Sequence, residues 1–183
     1  NLDDGTVVAG TVSATGTLTS EDVDTGASAT WTGDATGTYG SFAIMPATGA
    51  WTYTLDNGDG DTQALAEGAS VTDTFTATVT DDFGATATQV VTVTVTGTND
   101  APTVAAALVD GDPEGAGGFT VNLLDGASDL DAGETATLAV NSVSGLVAGV
   151  TLAGNILSVD PTNAAFDLLA VGASDVITVH YNV

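Results

Sequence analysis

Apolar residues in the first half of the chain alternate with threonine at every second position. In the clearest run, Trp51, Tyr53 and Leu55 share one face and threonines occupy the other. A period of two with threonine opposite apolar residues predicts antiparallel strands that have one buried and one solvated face. The predicted strands of this half are 11–18, 51–55, 74–79 and 89–95.

The second half carries the same kind of pattern in shorter runs, and no segment of the chain has helical periodicity. We expect at most single helical turns, near 63–67 and 164–169. Glycine and Asx residues, which favour turn conformations, mark turns at 34–40, 57–61 and 81–84. The predicted strands of the second half are 119–124, 136–140, 150–152, 156–159 and 176–183.

The chain repeats itself. Residues 22–26 (DVDTG) reappear 107 positions later as 129–133 (DLDAG), and 65–70 (LAEGAS) reappear 104 positions later as 169–174 (LAVGAS). Two matches in the same order indicate a repeat of about 100 residues, the size of an immunoglobulin-like sandwich. The sequence therefore predicts an all-β protein made of tandem immunoglobulin-like Greek-key β-sandwiches.

The repeat sets the expected domains at residues 1–100 and 101–183. Superposing the copies predicts that the first begins inside its first strand. The second stops short of a counterpart to 80–100, which would hold its last strand. Without that strand a sheet edge would be open. Either the chain continues and supplies it, or a neighbouring chain donates a strand.

The charge balance excludes several function classes. The chain has 24 acidic residues, no Lys or Arg, and a formal net charge of −24, yet 43% of its residues are hydrophobic, which favours a packed core over disorder. Without Lys or Arg it is not suited to nucleic acid or to anionic membrane surfaces. No apolar run approaches the roughly 20 residues of a membrane span, and the absence of cysteine removes disulfides and thiol chemistry.

Clustered carboxylates are the candidate chemistry, because Ca²⁺ takes six to eight oxygen ligands from side chains, backbone and water. In a seven-strand sandwich the loops after even-numbered strands face the preceding repeat, and those after odd-numbered strands face the following one. The side chains expected to meet at the junction of the two copies are Glu67, Asn99, Asp100, Asp129 and Asp131. The matching half-site for an upstream repeat is Asp22, Asp24 and Asp81. The alternative is that these residues only form Asx turns and solvated loops.

Five blocks of the first copy resemble the VCBS repeat family, in the expected order. The second copy looks like a more diverged, cadherin-like relative, which keeps Asp129 and Asp131 but has Val171 in place of Glu67. The blocks are 16–24 (GTLTSEDVD), 39–42 (YGSF), 49–56 (GAWTYTLD), 64–68 (ALAEG) and 95–102 (VTGTNDAP).

The resemblance implies tandem immunoglobulin-like sandwiches from large bacterial adhesins and secreted repeat proteins, with Ca²⁺ bound between repeats. By position, Asn99 and Asp100 match the linker ligands of such arrays, and Asp129 and Asp131 match the ligands of the next repeat. The expected role is an extracellular spacer of a cell-surface adhesin or filament. Its expected partners are neighbouring repeats of the same chain, with identical chains in a filament as a further candidate.

Three other functions compete with the spacer. Exposed aromatic residues would allow recognition of surface glycans, and the candidates are Trp31, Tyr39, Trp51 and Tyr53. For Trp51 and Tyr53, which alternate with threonine, core packing is the favoured interpretation, and Trp31 and Tyr39 stay open. Acidity alone would suit a structural repeat adapted to salty surroundings, without specific metal, because salt screens self-repulsion. Catalysis is not expected, since His180 stands alone in a predicted strand with no plausible partners for a triad.

Overall fold

The computed structural model describes residues 4–7, 12–23, 27–104 and 106–183. These residues form short and long β-strands with two single-turn helical segments, which confirms the all-β prediction. The chain divides into two compact units, Asn1–Asp100 and Ala101–Val183. The strands of the first unit are β1 (Asp4–Val7), β2 (Ser13–Thr17), β3 (Ala29–Gly33), β4 (Gly40–Ile44), β5 (Ala50–Leu55), β6 (Ser70–Asp81) and β7 (Thr86–Thr96). Those of the second are β8 (Phe119–Asn122), β9 (Ser142–Ser144), β10 (Val150–Ala153), β11 (Ile156–Val159) and β12 (His180–Asn182).

The described strands of the first unit form two sheets with the connectivity of an immunoglobulin-like sandwich. One sheet has the order β1-β7-β6-β3 and the other β2-β5-β4. The first strand runs parallel to the last, and the other neighbours are antiparallel. Because β2 pairs with β5 while β3 pairs with β6, the chain crosses repeatedly from one sheet to the other, as a Greek key requires.

The core of this unit is built by the alternating residues of β5, β6 and β7. Trp51 and Tyr53 point inward from β5, and Phe75 lies opposite them on β6, all buried. The ring of Phe75 stacks on that of Phe42, with 4.9 Å between the ring centroids, and is tilted against that of Tyr53, with 5.8 Å between the centroids. The period-two pattern thus places the large side chains between the sheets.

Asp73 is a buried carboxylate in the same core, only 3% exposed. Its two oxygens accept hydrogen bonds from the backbone N–H of Thr38 at 2.8 Å, the N–H of Tyr39 at 3.0 Å and the Tyr53 hydroxyl at 2.8 Å. The chain has no Lys or Arg, so these donors take the place of a counter-ion. A Cβ on Gly37 would come within 2.3 Å of the carboxylate, which explains glycine there. Asp73 therefore ties the loop between β3 and β4 to β6.

The second unit repeats part of this plan. Its three-stranded sheet has the order β10-β11-β8, matching β4-β5-β2, and its two-stranded sheet pairs β12 with β9, matching β6 with β3. Its buried core is smaller and consists of Leu123, Val150 and Leu157. The two copies of the sequence repeat therefore share part of their strand pairing.

Several boundaries differ from the predictions. The predicted strand 136–140 is wrong: a 3-10 helix occupies Glu134–Thr137, after Gly133 at φ +88°. The predicted helical turn near 63–67 forms slightly earlier, as α1 (Gly60–Gln63), because Asp59 caps it by accepting from the Asp61 N–H. The predicted turn at 164–169 is present as successive backbone hydrogen bonds. No predicted range covers strands β1, β3, β4 and β9.

Candidate metal centre

The loop after β8 is wound tightly by its own side chains. Asp129 Oδ1 accepts from the backbone N–H of Asp131 at 2.9 Å. The Thr135 hydroxyl accepts from the Asp129 N–H at 2.8 Å and donates to the Asp129 carbonyl at 3.0 Å. The Asp131 carbonyl in turn accepts from the Glu134 N–H at 3.1 Å. These bonds bring the beginning of the 3-10 helix back over the Asp-x-Asp segment.

This winding gathers three carboxylates. One oxygen each of Asp129, Asp131 and Glu134 lies within 4.8 Å of the others, the one such acidic group among the described residues. Asp131 is 2% exposed, and the other two side chains are half-buried. Three negative charges at this spacing repel one another strongly where water is partly excluded. Hard oxygen donors of this kind are the ligands that Ca²⁺ prefers, so the residues present fit a divalent cation.

Two of the predicted junction residues meet within the first unit. Glu67 Oε2 accepts a hydrogen bond from the backbone N–H of Asn99 at 3.0 Å. The Asn99 side-chain amide donates to the Asp100 carbonyl. The acidic side chain after β5 and the end of the first unit are therefore in contact. The convergence of these residues with Asp129 and Asp131 stays a prediction.

The predicted upstream half-site also stays a prediction. Asp22 is exposed and follows β2, and Asp24 lies outside the described residues. Asp81 ends β6, where its Oδ1 accepts from the N–H of Phe83 at 2.9 Å and of Ala85 at 2.7 Å. These bonds shape the turn into β7, the Asx-turn role that the sequence left open for such residues.

Glu134 belongs to the carboxylate cluster but was not predicted. The predicted ligands are acidic residues that recur in both copies, and the position matching Glu134 in the first copy is Ala27. The available signal was an acidic residue three positions after Asp131, a spacing that one helical turn closes.

The four aromatic candidates for glycan recognition all belong to the core or pack against it, as expected for Trp51 and Tyr53. Trp31, Trp51 and Tyr53 are buried, and Tyr39 packs against the same cluster. They do not form an exposed stacking platform in the first unit. His180 lies exposed on β12, opposite Ser144 in the strand register.

The sandwich connectivity and the comparison with known families agree. The first unit is an immunoglobulin-like β-sandwich. The family model of the bacterial cadherin-like domain matches residues 1–97. The chain belongs to the bacterial cadherin-like domain family. No curated protein matches the chain. Among the described residues, no helix has the length and apolar character that crossing a membrane requires.

Proposed function

We propose that the chain is a structural spacer from an extracellular bacterial surface protein, stiffened by Ca²⁺. Membership in the bacterial cadherin-like family supports a structural or adhesive repeat, a class that is in general not enzymatic. The observation that carries the metal proposal is the carboxylate cluster of Asp129, Asp131 and Glu134. The chain has no Lys or Arg to balance it.

The cation would be held first by the second unit. Asp129, Asp131 and Glu134 supply one carboxylate oxygen each to a Ca²⁺ that takes six to eight ligands. We propose that Asn99 and Asp100, which end the first unit, supply further oxygens and that water completes the shell. Without the ion, clustered carboxylates repel and the linker bends more freely. With it, neighbouring repeats of the same chain become one stiffer rod.

Calorimetric titration with Ca²⁺ tests the cluster. The variant Asp129→Asn, Asp131→Asn, Glu134→Gln should lose saturable Ca²⁺ binding, because amides replace the charged oxygens. The matched control is Asp110→Asn, Asp112→Asn, Glu114→Gln, which removes three acidic charges from exposed positions of the same unit. Equal Ca²⁺ binding by the two variants would show that diffuse charge, and not this cluster, attracts the ion.

A second variant separates a junction site from a local one. Asp100→Ala should weaken Ca²⁺ binding if the linker completes the coordination shell. Ca²⁺ should then no longer stiffen the linker of Asp100→Ala, so the small-angle scattering profiles of this variant with and without Ca²⁺ should be nearly the same. Unchanged affinity in Asp100→Ala would confine the ion to the second unit and remove the stiffening role.

A further inference from the structure

Two aspartates of the second unit directly precede proline, at Asp112–Pro113 and Asp160–Pro161. Such a bond can be broken by its own side chain, because attack of the carboxyl group on the main-chain carbonyl carbon closes a five-membered ring. Proline assists, since its ring nitrogen carries no hydrogen and takes up a proton more readily than the nitrogen of an ordinary peptide bond. The two bonds share this chemistry, so their surroundings decide which of them reacts.

The turn after β11 engages every group that the reaction at Asp160 would need. Asp160 Oδ1 accepts hydrogen bonds from the Thr162 hydroxyl at 2.6 Å and from the Thr162 N–H at 3.0 Å. These two bonds lower the pKa of Asp160, so its carboxyl group stays ionised further into acid. The Asp160 carbonyl accepts from the Asn163 N–H at 3.1 Å, and Pro161 is buried. The attacking side chain, the carbonyl and the leaving nitrogen are therefore all held by the fold.

Asp112 has the opposite surroundings. Both Asp112 and Pro113 are exposed, and residues 106–118 belong to no strand or helix. Within the part of the chain that the structure describes, no hydrogen bond engages the Asp112 carboxylate. A charged amine formed at Pro113 is hydrated at once, whereas one formed at the buried Pro161 would lack water. The charged groups that flank Asp112 are Asp110 and Glu114, both exposed.

We propose that Asp112 is the nucleophile of an acid-dependent self-cleavage site, which breaks the chain at Asp112–Pro113 and leaves Asp160–Pro161 intact. One oxygen of the Asp112 carboxyl group attacks the Asp112 carbonyl carbon, and the carboxyl proton passes to the Pro113 nitrogen. The bond between that carbon and the nitrogen breaks, and Pro113 leaves as an amine. Water then opens the cyclic anhydride, which restores the aspartate side chain and leaves a main-chain carboxylate.

The proton that the leaving nitrogen requires sets the direction of the pH dependence. Cleavage should accelerate as the pH falls through about 4, the range in which carboxylates of ordinary pKa take up protons. At neutral pH the bond persists. Acid therefore separates the first unit from the second in the covalent chain, and this step needs no metal ion.

Mass spectrometry of the full chain tests the site after incubation at about pH 3, where most carboxyl groups are protonated. The expected products are residues 1–112 and 113–183. Their formation should exceed cleavage at Asp160–Pro161 by about tenfold or more, because a hydrogen bond to a charged group must first be broken at Asp160. Asp112→Glu should abolish the cut, since its ring would be one atom larger, and the matched control Asp110→Glu should leave the cut unchanged.

The protection of the second bond is tested separately. Thr162→Val removes the hydroxyl that Asp160 accepts from and should speed cleavage at Asp160–Pro161 by about threefold or more. The control Thr120→Val, at an exposed position of β8, should have no effect. In concentrated urea, where the fold is lost, both bonds should break at similar rates.

The remaining outcomes also decide the proposal. Equal cleavage of the two bonds while circular dichroism shows a folded chain overturns it, because the fold then protects neither bond. Survival of Asp112–Pro113 in the folded chain, or its cleavage in Asp112→Glu, overturns it as well. Should the chain unfold at about pH 3, the same comparison is made at the lowest pH at which it stays folded, with a longer incubation.

Discussion

Asp73 is a buried carboxylate in the core of the first unit, and hydrogen-bond donors take the place of a counter-ion for its charge. The stability of the first unit should therefore depend on these donors. Tyr53→Phe removes one donor and should lower the free energy of unfolding by about 1.5–3 kcal/mol, the range for hydrogen bonds to charged groups. Asp73→Asn should lower the free energy of unfolding by more. In either orientation of the asparagine side chain, its NH₂ group faces a backbone N–H, that of Thr38 or that of Tyr39, and this hydrogen bond is lost. Urea unfolding followed by tryptophan fluorescence measures both.

The control for this pair is Asp82→Asn, which makes the same charge change in the exposed turn between β6 and β7. It should stay within about 0.5 kcal/mol of the parent. A value for Asp73→Asn no larger than for Asp82→Asn would contradict the role given to the buried carboxylate.

Tyr53 makes the first unit sensitive to alkali. Burial raises the pKa of Tyr53, and the hydrogen bond to Asp73 and the charge of Asp73 raise the pKa further. The folded-state pKa thus lies above the unfolded value of about 10. Stability is complete below about pH 10 and should fall above it by about 1.4 kcal/mol per pH unit, because only the unfolded chain releases the proton. Unfolding measured in urea from pH 9 to 11.5 should show this slope in the parent and not in Tyr53→Phe.

The sequence could not reveal Asp73, for a physical reason. It stands at an inward position of an alternating run, between Thr72 and Thr74, where a carboxylate interrupts the apolar pattern. Its donors come from residues 34 and 35 positions earlier and from Tyr53, 20 positions earlier. Such a buried charge is stable only through contacts that the folded chain creates.

Strand pairing between β2 and β5 depends on a missing side chain. Gly16 lies opposite Trp51 in the register, and a Cβ on Gly16 would come within 2.6 Å of the indole ring. Trp51 is a buried core residue, so Gly16→Ala should overpack this site and destabilise the first unit by about 1–3 kcal/mol. Thermal unfolding followed by circular dichroism measures the change.

Gly60→Ala is the matched control, because nothing lies within 4 Å of a Cβ at that position in α1. It should be neutral or stabilising by up to about 1 kcal/mol, since alanine reduces the freedom of the unfolded chain. Equal changes in stability for Gly16→Ala and Gly60→Ala would mean that backbone entropy, and not the contact with Trp51, determines the effect of alanine at position 16.

The long alternating strands were predictable, whereas the short strands gave mixed results: β2, β8, β10 and β11 were predicted, and β1, β3, β4 and β9 were not. β5, β6 and β7 follow directly from threonine and apolar alternation, whereas β3 contributes only Trp31 as a buried residue and β9 has three residues. The wrong strand at 136–140 has apolar alternation, but the hydroxyl of Thr135 bonds to Asp129 and helps to hold a 3-10 turn there. Local side-chain bonding of this kind competes with strand formation.

At the scale of the whole molecule, repetition was the most informative signal. It pointed to Asp129 and Asp131, which the structure places in one cluster, and it missed Glu134 because the first copy has Ala27 there. The same comparison links the β4-β5-β2 sheet to β10-β11-β8. Residues that the copies share were therefore predictable, and residues that only one copy uses were not.

The net charge of −24 gives the last prediction, because salt and Ca²⁺ both relieve self-repulsion but only a bound ion acts at one place. At equal ionic strength, Ca²⁺ at 100 times its dissociation constant should stabilise the second unit by about 2.7 kcal/mol more than NaCl. Hydrogen exchange can be followed peptide by peptide with mass spectrometry. Amides of the second unit that exchange only on global unfolding should exchange about 100-fold more slowly in Ca²⁺ than in NaCl. The first unit should respond alike to both salts, and Glu134→Gln should reduce the Ca²⁺ excess. Identical protection by NaCl and CaCl₂ would leave screening as the whole effect, as in a repeat adapted to salty surroundings without specific metal.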